Sequence, residues 1–301
     1  MSILRSASMR LSAALGIAVL LSSAAAVAEP ALWVVKGPHA TVYLFGSVHV
    51  LAKDLEWRSP KIDAAINNSQ ELWLEIADAD DAKAATPIIM ELGMDSAHPL
   101  STRLSKDQVA RLDTAAKAAG IPGGEGSLEP MRPWMAALSL SVFPLLQAGY
   151  DPASGVEMKL KPEFVGKGKP VKGFETAAQQ FHYFADLPQK TEVEYLDTTV
   201  KEFDGGVDKF KKIVAAWYAG DEDALDGLFD NEWRTEFPDL YQTLVVKRNH
   251  AFADQIDKLL KGDTTAKGDR SSFVAVGAGH LVGPDGVPAL LTKLGYSVQR
   301  Q

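Results

Sequence analysis

Four short apolar segments each end in a residue that can do chemistry, and this pattern constrains the fold most. VYLF runs into Gly-Ser-Val-His, which ends at His49, and SFVAV runs into Gly-Ala-Gly-His, which ends at His280. LWLE ends at Glu75 and VKGFE ends at Glu175. Apolar runs of this length predict buried strands, and glycine at a strand end lets the backbone turn without a Cβ penalty. The pattern therefore predicts strand tips that present two histidines and two glutamates at the rim of a sheet.

The rest of the periodicity is mostly helical. A hairpin is predicted around KGPHA, and a chain with few strands and many helices is an α+β protein. Ser105 as an N-cap and Pro133 in a first turn each predict the start of a helix. The other expected elements are helices at residues 57–68 and between 188 and 261, strands at 71–76, 171–174, 272–276 and 296–299, a loop at 262–272 and a last helix at 287–294.

The first 28 residues have the order of a secretory signal peptide. Arg5 and Arg10 precede the apolar run LSAALGIAVLL, and Ala-Val-Ala follows at positions 26–28. The apolar run is about a dozen residues long, which is short of the roughly 20 that span a bilayer. We expect cleavage after Ala28, a single domain over residues 29–301, a periplasmic or secreted location and no transmembrane segment.

Composition narrows the possible functions. The 301 residues include 39 acidic and 31 basic side chains, for a formal charge of −8, so the basic surface that nucleic acid requires is missing. The chain has no cysteine, which excludes disulfides, thiolate metal ligands, a cysteine nucleophile and a lipid anchor on a terminal cysteine. A metal site must therefore use His, Asp, Glu or backbone oxygen.

The paired histidines and glutamates allow two interpretations. If the four strand tips converge, imidazole and carboxylate ligands suit Zn, Mn, Co or ferrous iron better than Ca. Alternatively, both histidines cap turns and both glutamates are half-exposed strand ends. No local spacing forces the four groups together, and the residues alone leave both interpretations open.

Several longer motifs resemble the TraB/GumN family, which is related to the Tiki metalloproteases and more remotely to ChaN and erythromycin-esterase-like proteins. They are WVVKGPHATVYLFGSVHVL, ELWLE, GFETAAQQF and VAVGAGHLVGPDGVPALLTKLGYSV. The resemblance implies two short β-sheets in a shell of helices. It also implies a site built from His49, His280, Glu75 and Glu175, with Arg248 and Asn249 as an Arg-Asn pair at the start of a late helix.

The implied activity is that of an exported metal-dependent hydrolase of the peptidase type, with a peptide or protein as substrate. The two histidines and one or both glutamates would hold a divalent ion (Mn, Co or Zn), and a glutamate that is not a ligand would transfer protons. Arg248 would face an oxyanion or a substrate carboxylate. The alternatives are a haem- or metal-binding protein without turnover, an accessory protein for envelope polysaccharide, and a metal-free hydrolase with histidine as base. The oligomeric state is not predicted.

Overall fold

The computed structural model describes residues 28–262 and 270–301, except for the side chains of residues 230–232. The predicted signal peptide lies outside the described residues, apart from Ala28. Within these ranges, no helix combines the length and apolar character needed to cross a bilayer.

The described chain contains eight strands in two sheets, surrounded by helices. The strands are β1 Leu32–Lys36, β2 Ala40–Ser47, β3 Leu51–Ala52, β4 Glu71–Ile76, β5 Tyr150–Asp151, β6 Val171–Glu175, β7 Arg270–Gly277 and β8 Ser297–Arg300. The helices are α1 Pro60–Asn68, α2 Ala82–Gly93, α3 Lys106–Ala118, α4 Pro133–Gln147, α5 Val156–Gly166, α6 Ala177–Ala185, α7 Gln189–Lys201, α8 Phe203–Ala219, α9 Glu222–Glu236, α10 Pro238–Tyr241, α11 Lys247–Lys261 and α12 Val287–Lys293. The expected two sheets within a helical shell are confirmed.

The larger sheet has the strand order β6-β4-β7-β2-β1-β8. Its first four strands are parallel to one another, whereas β1 and β8 join in antiparallel fashion. The smaller sheet pairs β3 with β5. Parallel neighbours need long crossover connections, which the helices supply. This arrangement brings the carboxyl ends of β6, β4, β7 and β2 to one edge of the sheet.

Helices cover both faces of the larger sheet. On one face, Phe45 and Phe273 pack with Trp217 of α8 and with residues of α1 and α5. On the other face, Val274 and its neighbours pack with residues of α11 and α12. Strands buried on both faces are continuously apolar rather than alternating, which explains the unbroken apolar runs FVAV of β7 and LWL of β4.

Most element boundaries agree with expectation, and two differ for local reasons. The capping box of Ser105 and Gln108 begins α3 as predicted. Helix α1 begins at Pro60 rather than at residue 57, because Ser59 has extended dihedrals and Pro60 suits a first turn. Strand β7 begins at Arg270, two residues earlier than expected, and residues 263–269 of the predicted loop lie outside the described residues.

Candidate functional site

The four predicted strand-tip residues follow one another along the carboxyl edge of the parallel strands. Glu175 ends β6 and Glu75 lies near the end of β4, whereas His280 and His49 follow β7 and β2. Since these strands are consecutive in the sheet, the side chains stand in the order Glu175, Glu75, His280, His49. Open α/β sheets bind ligands at this edge. The convergence that the sequence left open is therefore present.

Arg248 joins the two glutamates. Its Nε donates to Glu175 Oε1 at 3.0 Å, and its Nη2 donates to Glu175 Oε2 at 2.9 Å and to Glu75 Oε2. All three side chains are buried, with at most 9% of any of them exposed. In the described structure Arg248 thus holds both carboxylates, and the oxyanion contact expected from the sequence stays a prediction.

A π-helical turn precedes this arginine. Residues Gln242–Val246 form the π turn, and α11 continues directly from it with Arg248 and Asn249 in its first turn. Such turns shift the face that a helix presents and are frequent at functional sites. Here Nη1 of Arg248 also lies 3.4 Å from the carbonyl oxygen of Leu244, within the same turn. The π turn therefore helps to place Arg248 beside the strand tips.

His280 is held in a single orientation. Its Nδ1 donates to Asn249 Oδ1 at 2.6 Å, and its Nε2 accepts from Arg248 Nη1 at 3.0 Å. The amide of Asn249 is oriented in turn because its Nδ2 donates to the Asp285 carbonyl at 2.8 Å. Burial lowers the pKa of His280 to about 4. The ring is therefore neutral at pH 7, and the lone pair of Nε2 accepts the hydrogen bond from Arg248.

His49 is tied in the same way to a carboxylate. Its Nδ1 lies 2.9 Å from Glu157 Oε1, at the start of α5, and Glu157 also accepts from the Ser47 hydroxyl. The Glu157 carboxylate raises the pKa of His49 to about 9. However, 65% of the His49 side chain is exposed, and solvent weakens this coupling. Glu157 was not found from the sequence, because an acidic residue in the first turn of a helix is commonplace.

Glu75 lies at the centre of the site. Its Oε1 accepts from the Gly277 amide at 2.6 Å, and its Oε2 accepts from Gln180 Nε2 at 3.1 Å as well as from Arg248. Burial alone would raise the pKa of Glu75, but Arg248, together with both site histidines, holds it well below its usual range. Glu75 is therefore ionised throughout the physiological range. Gln180 belongs to the GFETAAQQF motif, although the motif alone indicates no role for it.

The two histidines and Glu75 surround a small recess at Gly277. A methyl group built on the α-carbon of Gly277 would lie 3.1 Å from Glu75 Oε1, 3.6 Å from His280 Cδ2 and 3.8 Å from His49 Nε2. The glycine of the second Gly-x-x-His motif therefore keeps open a space that a Cβ would fill.

We tested whether these residues suit the divalent ion that the sequence resemblance implies. Within residues 28–262 and 270–301, no three His, Asp or Glu side chains already form a group that could hold an ion. The donor types around the Gly277 recess nevertheless fit, because His49, His280 and Glu75 offer two imidazoles and a carboxylate. Both histidines have Nδ1 anchored on an oxygen, as metal-bound histidines usually do. Glu175 fits less well, since both of its oxygens accept from Arg248. His280 Nε2 also accepts from Arg248, so His280 would have to exchange that hydrogen bond for the ion.

The fold and the site define a mixed α/β protein with an ionised centre at the carboxyl edge of four parallel strands. Residues 31–300, nearly the whole chain, match the TraB/PrgY/gumN family, and the chain belongs to that family. No curated protein and no solved structure matches it. The family resemblance inferred from the motifs is thus confirmed, and the remoter relationships to Tiki, ChaN and erythromycin-esterase-like proteins stay predictions.

Proposed function

We propose that the protein is an exported metal-dependent hydrolase of the peptidase type, and that His49, His280 and Glu75 hold its divalent ion. One observation carries the proposal: both histidines bind an oxygen acceptor through Nδ1 and lie with Glu75 Oε1 around the recess at Gly277. A divalent ion in such a site supplies Lewis acidity and a hydrolytic nucleophile at neutral pH.

The other charged residues receive roles that follow from their contacts. Arg248 holds Glu75 and Glu175 in fixed positions, and its planar guanidinium stays charged at any working pH. A carboxylate has about four lone-pair positions, so Glu175 can accept a proton from water while Arg248 remains bound. We assign to Glu175 the transfer of that proton to the leaving group, and to Arg248 the stabilisation of negative charge that develops nearby.

The charge of the site supports a cation at the recess. Glu75 and Glu175 carry two negative charges, and Arg248 supplies one positive charge. His280 is neutral and His49 is balanced by Glu157. One negative charge is left over, and burial makes an unbalanced carboxylate costly. A bound cation would relieve that cost.

Elemental mass spectrometry tests the proposal on protein purified without chelators or an affinity tag. We expect roughly one equivalent of Mn, Co or Zn in the wild type, and its loss in His49→Ala and in His280→Ala. His98→Ala is the matched control, because His98 is exposed and paired with Asp95 rather than with any site residue. Peptide hydrolysis should stop on chelation and return with the metal. Absence of metal after incubation with all three ions, in a folded protein, would contradict the proposal.

A metal-free hydrolase is the second candidate, and the pairing of His49 with Glu157 favours it. An exposed imidazole oriented by a carboxylate has the geometry of a general base and its positioning group. In that case hydrolysis would survive chelation and would increase with pH toward the raised pKa of His49, and Glu157→Gln would move this pH dependence to lower pH. A haem-binding role and an accessory role in envelope polysaccharide stay sequence-based predictions, and a Soret band on haemin titration would favour the former.

A further inference from the structure

Strand β6 lies at one end of the larger sheet and has β4 as its neighbour. The Pro170 carbonyl accepts from the Leu72 amide of β4 at 2.9 Å, and Leu72 is in register with Val171. Main-chain groups of successive residues alternate between the two sides of a strand. The amides and carbonyls of Val171 and Gly173 therefore point away from β4, and no strand in the described part of the chain pairs with them.

A groove runs along this free edge and reaches the site. Its volume is about 790 Å³, and it extends from Gly168 to Thr176, so that Glu175 lies in its lining. Val165 and Lys161 of α5 contribute to one wall. Val165 is 58% exposed, so its side chain is available for an apolar contact with a ligand.

We propose that the edge of β6 binds an extended polypeptide by strand addition and delivers it to the site at Glu175. Alternating main-chain amides and carbonyls are complementary to another extended main chain, which is the basis of peptide binding at sheet edges. A polysaccharide or a haem has no such two-residue alternation. The five residues of β6 span about 16 Å at a rise of about 3.3 Å per residue, so the bound segment covers about five residues.

This inference deepens the proposed hydrolase function and rests on it for the fate of the bound chain. Binding itself is independent of hydrolysis and can be measured alone. Because Glu175 ends β6 and is held by Arg248, a segment added along β6 reaches the carboxyl edge beside Glu75. The groove therefore selects extended polypeptides. The site residues at the strand ends hydrolyse the segment of the polypeptide that extends beyond the groove.

The test uses a fluorescein-labelled octapeptide of alternating Thr and Val as probe. We expect saturable binding by fluorescence anisotropy and loss of binding when every second residue of the probe is N-methylated. Amide exchange followed by NMR should show new protection at Val171 and Gly173, whereas Lys172, whose amide faces β4, should not change. No binding at 1 mM probe, or protection confined to other segments, would overturn the inference.

Two variants of Val171 separate the main chain from the side chain. Val171→Pro removes an outward amide without removing a bond to β4, and should weaken binding of the probe by about tenfold. Val171→Ala keeps the amide and should bind nearly as the wild type does. Equal binding by two folded variants would refute strand addition, and if Val171→Pro does not fold, the exchange measurement on wild type decides.

A failure of strand addition can be distinguished from a failure of the proposed hydrolase function. Probe binding measured in chelator and in His49→Ala should equal that of the wild type, even if the protein proves not to be a hydrolase. If the chain instead forms a dimer that Val171→Pro dissociates, and the probe does not compete with it, the edge belongs to a second copy and the inference is wrong.

Discussion

Replacing Arg248 by Met should destabilise the protein strongly, because it leaves two buried carboxylates without their cation. Glu75 and Glu175 are 8% and 5% exposed, and each accepts from Arg248. Removing one partner of a buried ion pair costs about 3–5 kcal/mol. For 301 residues, an unfolding entropy of about 2.1 cal/mol/K per residue converts this to a fall in Tm of about 5–8 °C.

Urea unfolding at pH 7 in the presence of a chelator measures this cost without interference from bound ions. Arg111→Met is the matched control, because Arg111 pairs with Asp197 at the surface and 43% of its side chain is exposed. Exposed pairs contribute about 0–1 kcal/mol, so the control should unfold almost as the wild type does. If the free energy of unfolding of Arg248→Met lies within 1 kcal/mol of the wild-type value, with an unchanged denaturant slope, the buried ion network is refuted.

The pH dependence of the free energy of unfolding is a second test of the ion network, and its direction follows from the pKa of Glu75. In the wild type the pKa of Glu75 lies below its ordinary value, although burial opposes this, because Arg248 stabilises the carboxylate. That contribution is present above about pH 4.5 and is lost as the pH falls toward the folded pKa. Without Arg248, burial raises the pKa of Glu75. As the pH falls, the folded variant therefore binds a proton at Glu75 before the unfolded chain does. The difference in stability between variant and wild type should therefore shrink between pH 8 and pH 5.

Three further predictions use single side chains. Trp217→Phe removes the 2.7 Å hydrogen bond from the indole to the buried Gly46 carbonyl, and should cost about 1–3 kcal/mol in urea unfolding; no measurable loss would mean that this carbonyl finds another partner. Gly277→Ala places a methyl 3.1 Å from Glu75 Oε1, so metal content and hydrolysis should fall at least tenfold while Tm changes little, since the dihedrals of Gly277 suit alanine. Gly227 lies on the exposed side of α9, and a Cβ added to it would meet no neighbouring atom within 4 Å. Gly227→Ala should therefore raise the free energy of unfolding by about 1 kcal/mol and leave hydrolysis unchanged. A loss of activity in this variant would indicate a role for α9 that the geometry does not show.

Capping residues and apolar runs in the sequence predicted most of the secondary-structure elements correctly. Strand β4 has the predicted bounds, and the N-cap at Ser105 begins α3 as expected. The sequence could not give the order of the strands, because β2 pairs with β7 across more than two hundred residues and no local preference encodes that partner. Helix α1 begins later than periodicity suggested, since Trp57 is apolar for a different reason: it stacks on Phe45 in the core.

The site was predictable in its residues and not in its contacts. The strand-tip pattern identified both histidines and both glutamates, because a titratable residue at the end of an apolar run can be recognised from the sequence alone. Their mutual arrangement depends on the sheet order, and Arg248 reaches Glu75 and Glu175 across 173 and 73 positions. Glu157 belongs to no motif, and only the packing of α5 against the end of β2 brings it to His49.

The two motifs share the Gly-x-x-His pattern, but their histidines lie in different environments. His280 is buried beside Arg248 and its pKa is lowered, whereas His49 is exposed beside Glu157 and its pKa is raised. The register contributes to this difference: Gly46 pairs with Val276 and Ser47 pairs with Gly277, so the motifs are offset by one residue. The Ser47 hydroxyl can then bind Glu157, while the Gly277 amide binds Glu75. One histidine is thus fixed from within the protein and the other faces solvent, so the recess between them is reached from the side of His49.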